Sequence, residues 1–231
     1  MKKFLLPILG AILVVGMATI VWASVIGTPH DLAPEPCAMC HTPHHATGEY
    51  PLWNRTQADQ TYILYESYTF DMGPTGVRPP AGELWSPSSL CLVCHNGVFS
   101  QLVNYPGPCS PADSAYDLIV RGCAELGTDL TNDHPIAFVY DDTKDVDGNL
   151  FPPAAPNPKN PSRYEIVGAF STTPYFLYGG DGTVDGKAFE CATCHSVHDL
   201  ANYPGKGDYQ VYFLRNDNTG SLMCRDCHTA R

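Results

Sequence analysis

Hydrophobic positions are concentrated at the start of this chain and occur afterwards only in short runs. Residues 4–20 form one apolar stretch. Residues 136–140 and 209–214 are apolar or aromatic runs bounded by turn residues, which predicts two short strands. Residues 53–65 and 113–126 are candidate short helices. None of these elements is long enough to define a fold by itself.

The first 23 residues resemble a secretory signal. Lys2 and Lys3 precede the apolar stretch, and Val-Trp-Ala at residues 21–23 fits a small-residue cleavage site. Cleavage would remove residues 1–23 and leave residues 24–231 as one exported domain without a membrane segment. The alternative is an uncleaved anchor, because an apolar stretch of about 20 residues is just long enough to span a bilayer.

The composition favours turns over regular structure. The chain has 20 glycines and 21 prolines, and only 16% of its residues are charged. The proline-rich residues 151–161 are incompatible with a helix and predict an extended wrapping loop at the surface. A chain of this kind is short of core, so we expect bound cofactors to supply apolar surface for it to wrap.

The charge balance excludes nucleic acid as the expected partner. With 13 Lys and Arg against 24 Asp and Glu, the formal net charge is −11. Binding to phosphates requires a basic surface, which this balance does not provide.

The pattern Cys-x-x-Cys-His occurs four times. Its members are Cys37/Cys40/His41, Cys91/Cys94/His95, Cys191/Cys194/His195 and Cys224/Cys227/His228. Two cysteines at this spacing can form thioether bonds to the two vinyl groups of one haem, and the adjacent histidine can then ligate the iron. The sequence therefore predicts four haem c groups. Zinc is the competing interpretation, but a zinc site does not require a histidine directly after every cysteine pair.

Five histidines remain as candidate distal ligands to the irons: His30, His44, His45, His134 and His198. Methionine is the usual alternative ligand and would raise the reduction potential. Only Met72 and Met223 lie outside both the signal and the haem motifs. The sequence thus favours bis-histidine ligation, with His30, His44, His134 and His198 as distal ligands and His45 as a substitute for His44.

Chain length limits which haem two of these histidines can reach. Imidazoles on opposite faces of one iron place their backbones roughly 12 Å apart, because each metal–nitrogen bond is about 2 Å. Three residues span at most about 11 Å. We therefore expect His44 not to close on the haem of His41, and His198 not to close on the haem of His195. Each would connect two neighbouring haems.

Two cysteines lie outside the haem motifs. Cys109 and Cys123 bracket a short loop, and an even remainder in an exported protein predicts a disulfide. Two unrelated buried thiols are the alternative.

The motif neighbourhoods resemble a known family. The segments that carry this resemblance are Cys-Ala-Met-Cys-His-Thr-Pro-His at 37–44, Cys-Leu-Val-Cys-His-Asn-Gly at 91–97, Asn-Asp-His-Pro at 132–135 and Cys-Ala-Thr-Cys-His-Ser-Val-His at 191–198. They are similar to exported multihaem c-type cytochromes that polymerise into extracellular filaments, the OmcE-type tetrahaem nanowire subunits. The resemblance implies a mostly irregular, loop-rich multihaem cytochrome with a few short helices and strands wrapped around four haems. It also implies that His44, or His45 in its place, ligates a haem of a neighbouring subunit.

The sequence as a whole predicts an electron carrier rather than an enzyme. We expect a secreted subunit of a helical homopolymer that exchanges electrons with redox proteins or extracellular acceptors. One alternative is a monomeric periplasmic shuttle, and another is a membrane-anchored quinol dehydrogenase if the apolar segment is retained. A multihaem reductase would require an open iron, and five spare histidines for four irons disfavour one.

Overall fold

Short helices and antiparallel strands make up the regular structure of the protein, seen here in a computed structural model. The structure describes residues 25, 28, 30, 31, 36–44, 46, 52–55, 60–67, 84, 87–97, 125–140, 154–171, 173–179, 186–198 and 213–228. The helices are α1 (Ser88–His95), α2 (Cys191–Cys194) and α3 (Leu222–Cys227), with 3-10 turns at Pro36–Met39 and Thr219–Ser221. The strands are β1 (Phe138–Val139), β2 (Ala154–Asn157), β3 (Asn160–Ile166), β4 (Tyr175–Phe176) and β5 (Ala188–Phe189). Within these ranges, no helix is both long enough and apolar enough to cross a membrane.

The strands form two small antiparallel sheets. Strands β2, β3 and β4 pair in that order, while β1 pairs with β5 and places Phe138 opposite Phe189. Tyr178, just beyond β4, exchanges two backbone hydrogen bonds with Ala188 of β5, at 2.9 and 2.7 Å. This bridge connects the sheets. The strand predicted over residues 136–140 is confirmed in a shorter form as β1.

The proline-rich segment forms a hairpin. The prediction of an extended surface segment over residues 151–161 is confirmed for the described residues 154–161, but these residues pair as β2 and the start of β3, so the predicted wrapping loop is wrong. The Asn157 side-chain oxygen accepts hydrogen bonds from the backbone amides of Lys159 and Asn160, at 2.8 and 2.9 Å. Such an Asx turn reverses the chain locally. Pro156 lies at a register shift on the edge strand β2, where a missing amide donor is tolerated.

The helix predicted over residues 53–65 is also wrong for its described part. Trp53 forms an isolated bridge with His41. Further along, the Ile63 amide donates to the Thr128 carbonyl at 3.0 Å. Because these backbone groups pair with distant segments, they are unavailable for the hydrogen bonds of a helix.

Several sequence predictions lie outside the described residues. They are the signal over residues 1–23, the helix over 113–126 and the strand over 209–214 apart from the last two residues of each, His45, and the disulfide between Cys109 and Cys123. Of the predicted strand 209–214, Leu214 is described and forms an antiparallel bridge with His195.

Two apolar clusters position the Cys-x-x-Cys-His motifs. The larger cluster lies between the sheets and α3 and contains Tyr140, Ile166, Tyr175, Leu177, Phe189 and Met223. Cys194 and Cys227 pack against it. The smaller cluster surrounds Leu92 of α1. The second, third and fourth motifs are therefore each anchored to packed side chains.

Candidate haem-binding sites

All four Cys-x-x-Cys-His motifs begin in a helical turn. The second motif lies entirely within α1, the first begins in the 3-10 turn, and the third and fourth occupy α2 and α3. In three of them the histidine amide donates to the carbonyl of the first cysteine: His41 to Cys37 at 2.8 Å, His195 to Cys191 at 3.0 Å and His228 to Cys224 at 2.8 Å. Residues three and four apart share one face of a helical turn. This geometry presents both sulfurs and the imidazole of a motif on the same side.

The first motif is held by two residues outside the helices and strands, Asn54 and Arg55. The Asn54 side-chain amide donates to the Ala38 carbonyl at 2.8 Å, and Arg55 Nε donates to the Met39 carbonyl at 2.7 Å. The Asn54 backbone amide bonds the Cys40 carbonyl at 2.9 Å. Both Asn54 and Arg55 are buried. Three successive carbonyls of the motif are thus satisfied by two side chains and one amide, which fixes its backbone.

The second and third motifs meet at a buried polar junction. The Ser88 hydroxyl, at the start of α1, donates to Glu190 Oε2 and accepts the Cys191 amide at 3.0 Å. Glu190 precedes α2, and its backbone amide donates to the Thr193 hydroxyl at 2.9 Å. The Cys91 and Cys191 thiols are hydrogen-bonded to each other. Residues about a hundred positions apart are therefore in direct contact.

The fourth motif is fastened by the carboxylate within it. Asp226 Oδ1 accepts the backbone amides of Phe170 and Ser171, at 2.6 and 3.0 Å. Asp226 Oδ2 accepts the Tyr175 hydroxyl at 2.6 Å. A side chain at Gly168 would collide with this carboxyl group. The contacts join α3 to the loop before β4.

Two histidine pairs have the spacing of axial ligands on one metal. The ring centres of His30 and His95 are 6.1 Å apart, and those of His41 and His198 are 5.9 Å apart. Two imidazoles bound to opposite faces of an iron, with metal–nitrogen bonds of about 2 Å, have ring centres roughly 6 Å apart. Each pair combines one motif histidine with one candidate distal histidine. The distance between ring centres therefore matches that expected for two imidazoles on one iron.

One imidazole of each pair favours the neutral form that can ligate iron. The pKa of His30 is lowered to about 4, chiefly by burial and to a smaller extent by His95 and His198. Burial also lowers the pKa of His41, with a smaller contribution from His198. A neutral ring keeps a lone pair for a metal.

The remaining described candidates lie apart from these two pairs. His134 Nδ1 is 3.0 Å from the Pro135 carbonyl, and the ring stacks on Phe189 at 5.5 Å between ring centres. A bond from Nδ1 to a carbonyl leaves Nε2 available for a metal. His44 is exposed, and its ring makes no hydrogen bond or stacking contact among the described residues.

In the first and fourth motifs the two cysteines differ in burial. Cys37 and Cys224, which come first in their motifs, are exposed. The second cysteine is half-buried in every motif, and burial raises its pKa: to about 11 for Cys40 and Cys194, to about 12 for Cys227, and in the same direction for Cys94. Zinc requires thiolates, which these surroundings disfavour, whereas a thioether carries no charge. Among the described residues no group of three or more His, Cys, Asp or Glu is placed to hold a metal ion.

No protein-family model and no curated protein matches this chain. The inferences below therefore rest on its own residues and their arrangement.

Several residues that shape the sites were not predicted from the sequence. Asn54, Arg55 and Ser88 act on motifs that are distant from them in the chain, so no local pattern marks them. Glu190 and Asp226 offered a signal, because Glu190 directly precedes a motif and Asp226 lies inside one. An acidic residue in such a position merits attention when the chain has few charges.

We expect Glu190→Gln to reduce the loss of stability with rising pH. Burial raises the pKa of Glu190 from 4.5 to about 9. Between these values the folded chain keeps a proton that the unfolded chain releases, so stability falls as pH rises. The slope is at most about 1.4 kcal/mol per pH unit. Denaturant midpoints at pH 5 and pH 8 would test this.

The matched control is Glu125→Gln at an exposed position. The midpoint should fall from pH 5 to pH 8 in the wild type and in this control, and fall less in Glu190→Gln. Equal pH dependence in all three proteins would contradict the prediction.

Proposed function

We propose that this protein is an exported electron carrier with four covalently attached haem c groups, each ligated by two histidines. The observation that supports the proposal best is the pair of ring distances, 6.1 Å for His30–His95 and 5.9 Å for His41–His198. In both pairs a histidine that directly follows a cysteine motif faces one that lies outside every motif. When bound, each haem would supply a one-electron centre, and an iron held by two histidines would have no open position for a substrate.

The chain's own residues hold these groups as follows. The two cysteines of each motif form the thioether bonds, and His41, His95, His195 and His228 are the proximal ligands. His198 and His30 are distal ligands to the first and second haems. His198 then reaches a haem other than that of its own motif, in agreement with the chain-length argument. His134 and His44, with His45 as a substitute, remain for the third and fourth irons.

Contacts between the motifs support a connected relay. The His41–His198 ring pair joins the first motif to the residues directly after the third. Ser88, at the start of the helix that carries the second motif, bonds Cys191 of the third. Cys194 and Cys227 pack against the same apolar cluster, so the third and fourth motifs are neighbours. Haems attached at adjacent motifs would lie close enough for successive electron transfer.

We further propose that copies of the chain assemble into an extracellular filament. The exposed ring of His44 supports this, because it has no partner among the described residues and is free to reach a haem of another copy. A monomeric periplasmic shuttle, or a membrane-anchored quinol dehydrogenase, would instead satisfy all four irons within one chain.

The distal ligands give a direct test of the haem sites. We expect His198→Ala and His30→Ala each to leave one of the four irons without its sixth ligand. That iron becomes high-spin while the other three stay low-spin. Electron paramagnetic resonance and visible spectra measure the change, and intact mass confirms that all four haems remain attached.

The control is Lys159→Ala in the exposed β2–β3 turn, which should keep four low-spin haems. The double variant should show two high-spin irons, since the two ligands serve different haems. A wild-type protein without covalent haem would refute the proposed function. Unchanged spectra in both histidine variants would refute the ligand assignment.

A further inference from the structure

Phe213 has a left-handed backbone conformation, which is rare for an aromatic residue. Its φ angle is 67°. In this region the Cβ atom lies too close to the following carbonyl oxygen, so bulky side chains avoid it. Such a conformation persists only where surrounding contacts enforce it, and residues of this kind cluster at functional sites. The contacts of Phe213 show what enforces it here.

The backbone on both sides of Phe213 is bonded to the third motif. The Phe213 carbonyl accepts a hydrogen bond from the Ser196 amide at 2.7 Å. Two residues later, the Arg215 amide donates to the Cys194 carbonyl at 2.9 Å. The third motif thus fixes the point from which the Phe213 side chain projects.

The Phe213 ring is buried against the imidazole of His30. The side chain is 7% exposed. The two ring centres are 4.5 Å apart and the ring planes meet at 25°, so the rings stack. On its other contact, His30 faces His95 of the second motif at 6.1 Å. Rotation of the His30 ring would break the stack, so Phe213 restrains the plane of this candidate ligand.

The two histidine pairs differ in the angle between their rings. His30 and His95 are tilted by 54°, whereas His41 and His198 are within 27° of parallel. Parallel axial rings interact with the same iron d orbital and separate it in energy from its partner orbital. Tilted rings divide this interaction between the two orbitals, which stay closer in energy. In a low-spin ferric haem, the closer spacing gives a larger maximum g value in electron paramagnetic resonance.

We propose that Phe213 is a positioning residue that holds the His30 ring at its tilt to His95 and thereby sets the electronic structure of the second haem. This inference rests on the proposed function, in which His30 and His95 ligate the second iron. Phe213 contacts the ligand and not the iron, so it acts through His30. Because the third motif fixes Phe213, the ligand geometry at the second haem depends on the fold around the third.

Electron paramagnetic resonance of the oxidised four-haem protein tests the tilt without changing Phe213. The low-spin signal lost in His30→Ala identifies the second haem, and the one lost in His198→Ala identifies the first. The maximum g value of the second haem should be larger than that of the first. Equal values, or the reverse order, would overturn the inference.

A substitution at Phe213 tests its role directly. Phe213→Leu removes the flat ring and keeps a bulky side chain on the same backbone, so the maximum g value of the second haem should shift while that of the first stays unchanged. Phe213→Tyr retains the ring and should give the wild-type signal. Phe170→Leu makes the same change at an exposed position and should leave all four signals as they are.

Intact mass verifies four haems in each variant. The same second-haem signal in Phe213→Leu and the wild type would contradict the proposal, as would a shift in Phe213→Tyr as large as that in Phe213→Leu. A high-spin second iron in Phe213→Leu, with Phe213→Tyr still low-spin, would support it, because His30 would then have lost its position. A wild type without covalent haem would instead refute the proposed function, so the two failures are distinguishable.

Discussion

A variant carrying Cys191→Ser and Cys194→Ser is expected to hold three haems instead of four and to lose most of its stability. The change removes both thioether bonds of the third motif. Cys194 also packs against the larger apolar cluster, and Cys191 lies at the junction with Ser88. Because a haem would supply much of the local core, the cost should reach at least the roughly 2–5 kcal/mol of a lost native disulfide. Intact mass and thermal unfolding measure the two effects.

The same chemical change elsewhere provides the control. Cys109→Ser with Cys123→Ser also removes two thiols, but these lie outside the haem motifs. That variant should keep four haems. If the predicted disulfide exists, it should lose about 3 kcal/mol, as expected for a loop of about 15 residues. Four haems in the third-motif variant would contradict the assignment of that motif.

His44→Ala is expected to abolish filament assembly while leaving four covalent haems on each chain. The ring is exposed and has no partner among the described residues, so its removal should cost the isolated subunit little. In the assembly it would remove one iron ligand per subunit. Negative-stain microscopy and light scattering of the exported protein measure assembly, and intact mass counts the haems.

His45→Ala is the matched control. If His44 is the ligand, His45→Ala should assemble normally, and the reverse result would assign the role to His45. Wild-type protein that remains monomeric with all four irons six-coordinate would rule out the filament and favour the soluble shuttle. The haem sites would be unaffected by that outcome.

The sequence predicted the local parts of the candidate sites and missed the long-range parts. A Cys-x-x-Cys-His motif sets its own geometry, because one helical turn aligns its three side chains. Chain length alone excluded a pairing of His198 with His195, the histidine of the nearest motif. It did not identify His41 as the partner. Nothing local indicated that His30 would face His95, or that Ser88 would contact Glu190.

Secondary structure was predictable where the backbone bonds near neighbours in a regular pattern. Strand β1 lies within the apolar run of residues 136–140, and its pairing with β5 satisfies backbone hydrogen bonds of that run. The segment around Trp53 failed as a helix because its backbone bonds the first motif, a contact that periodicity does not reveal. The hairpin after residue 153 depends on the turn formed by the side chain of Asn157. The high proline content of this segment favoured a loop in the sequence analysis and hid that turn.

The partial burial of the second cysteine in each motif has a consequence for biogenesis. A folded chain would shelter these sulfurs and keep them as protonated thiols, which are poor nucleophiles. If the chain carries haem as we propose, attachment would therefore have to precede the final closure of the chain around these sulfurs. The cell would have to keep the chain open until all four motifs were loaded.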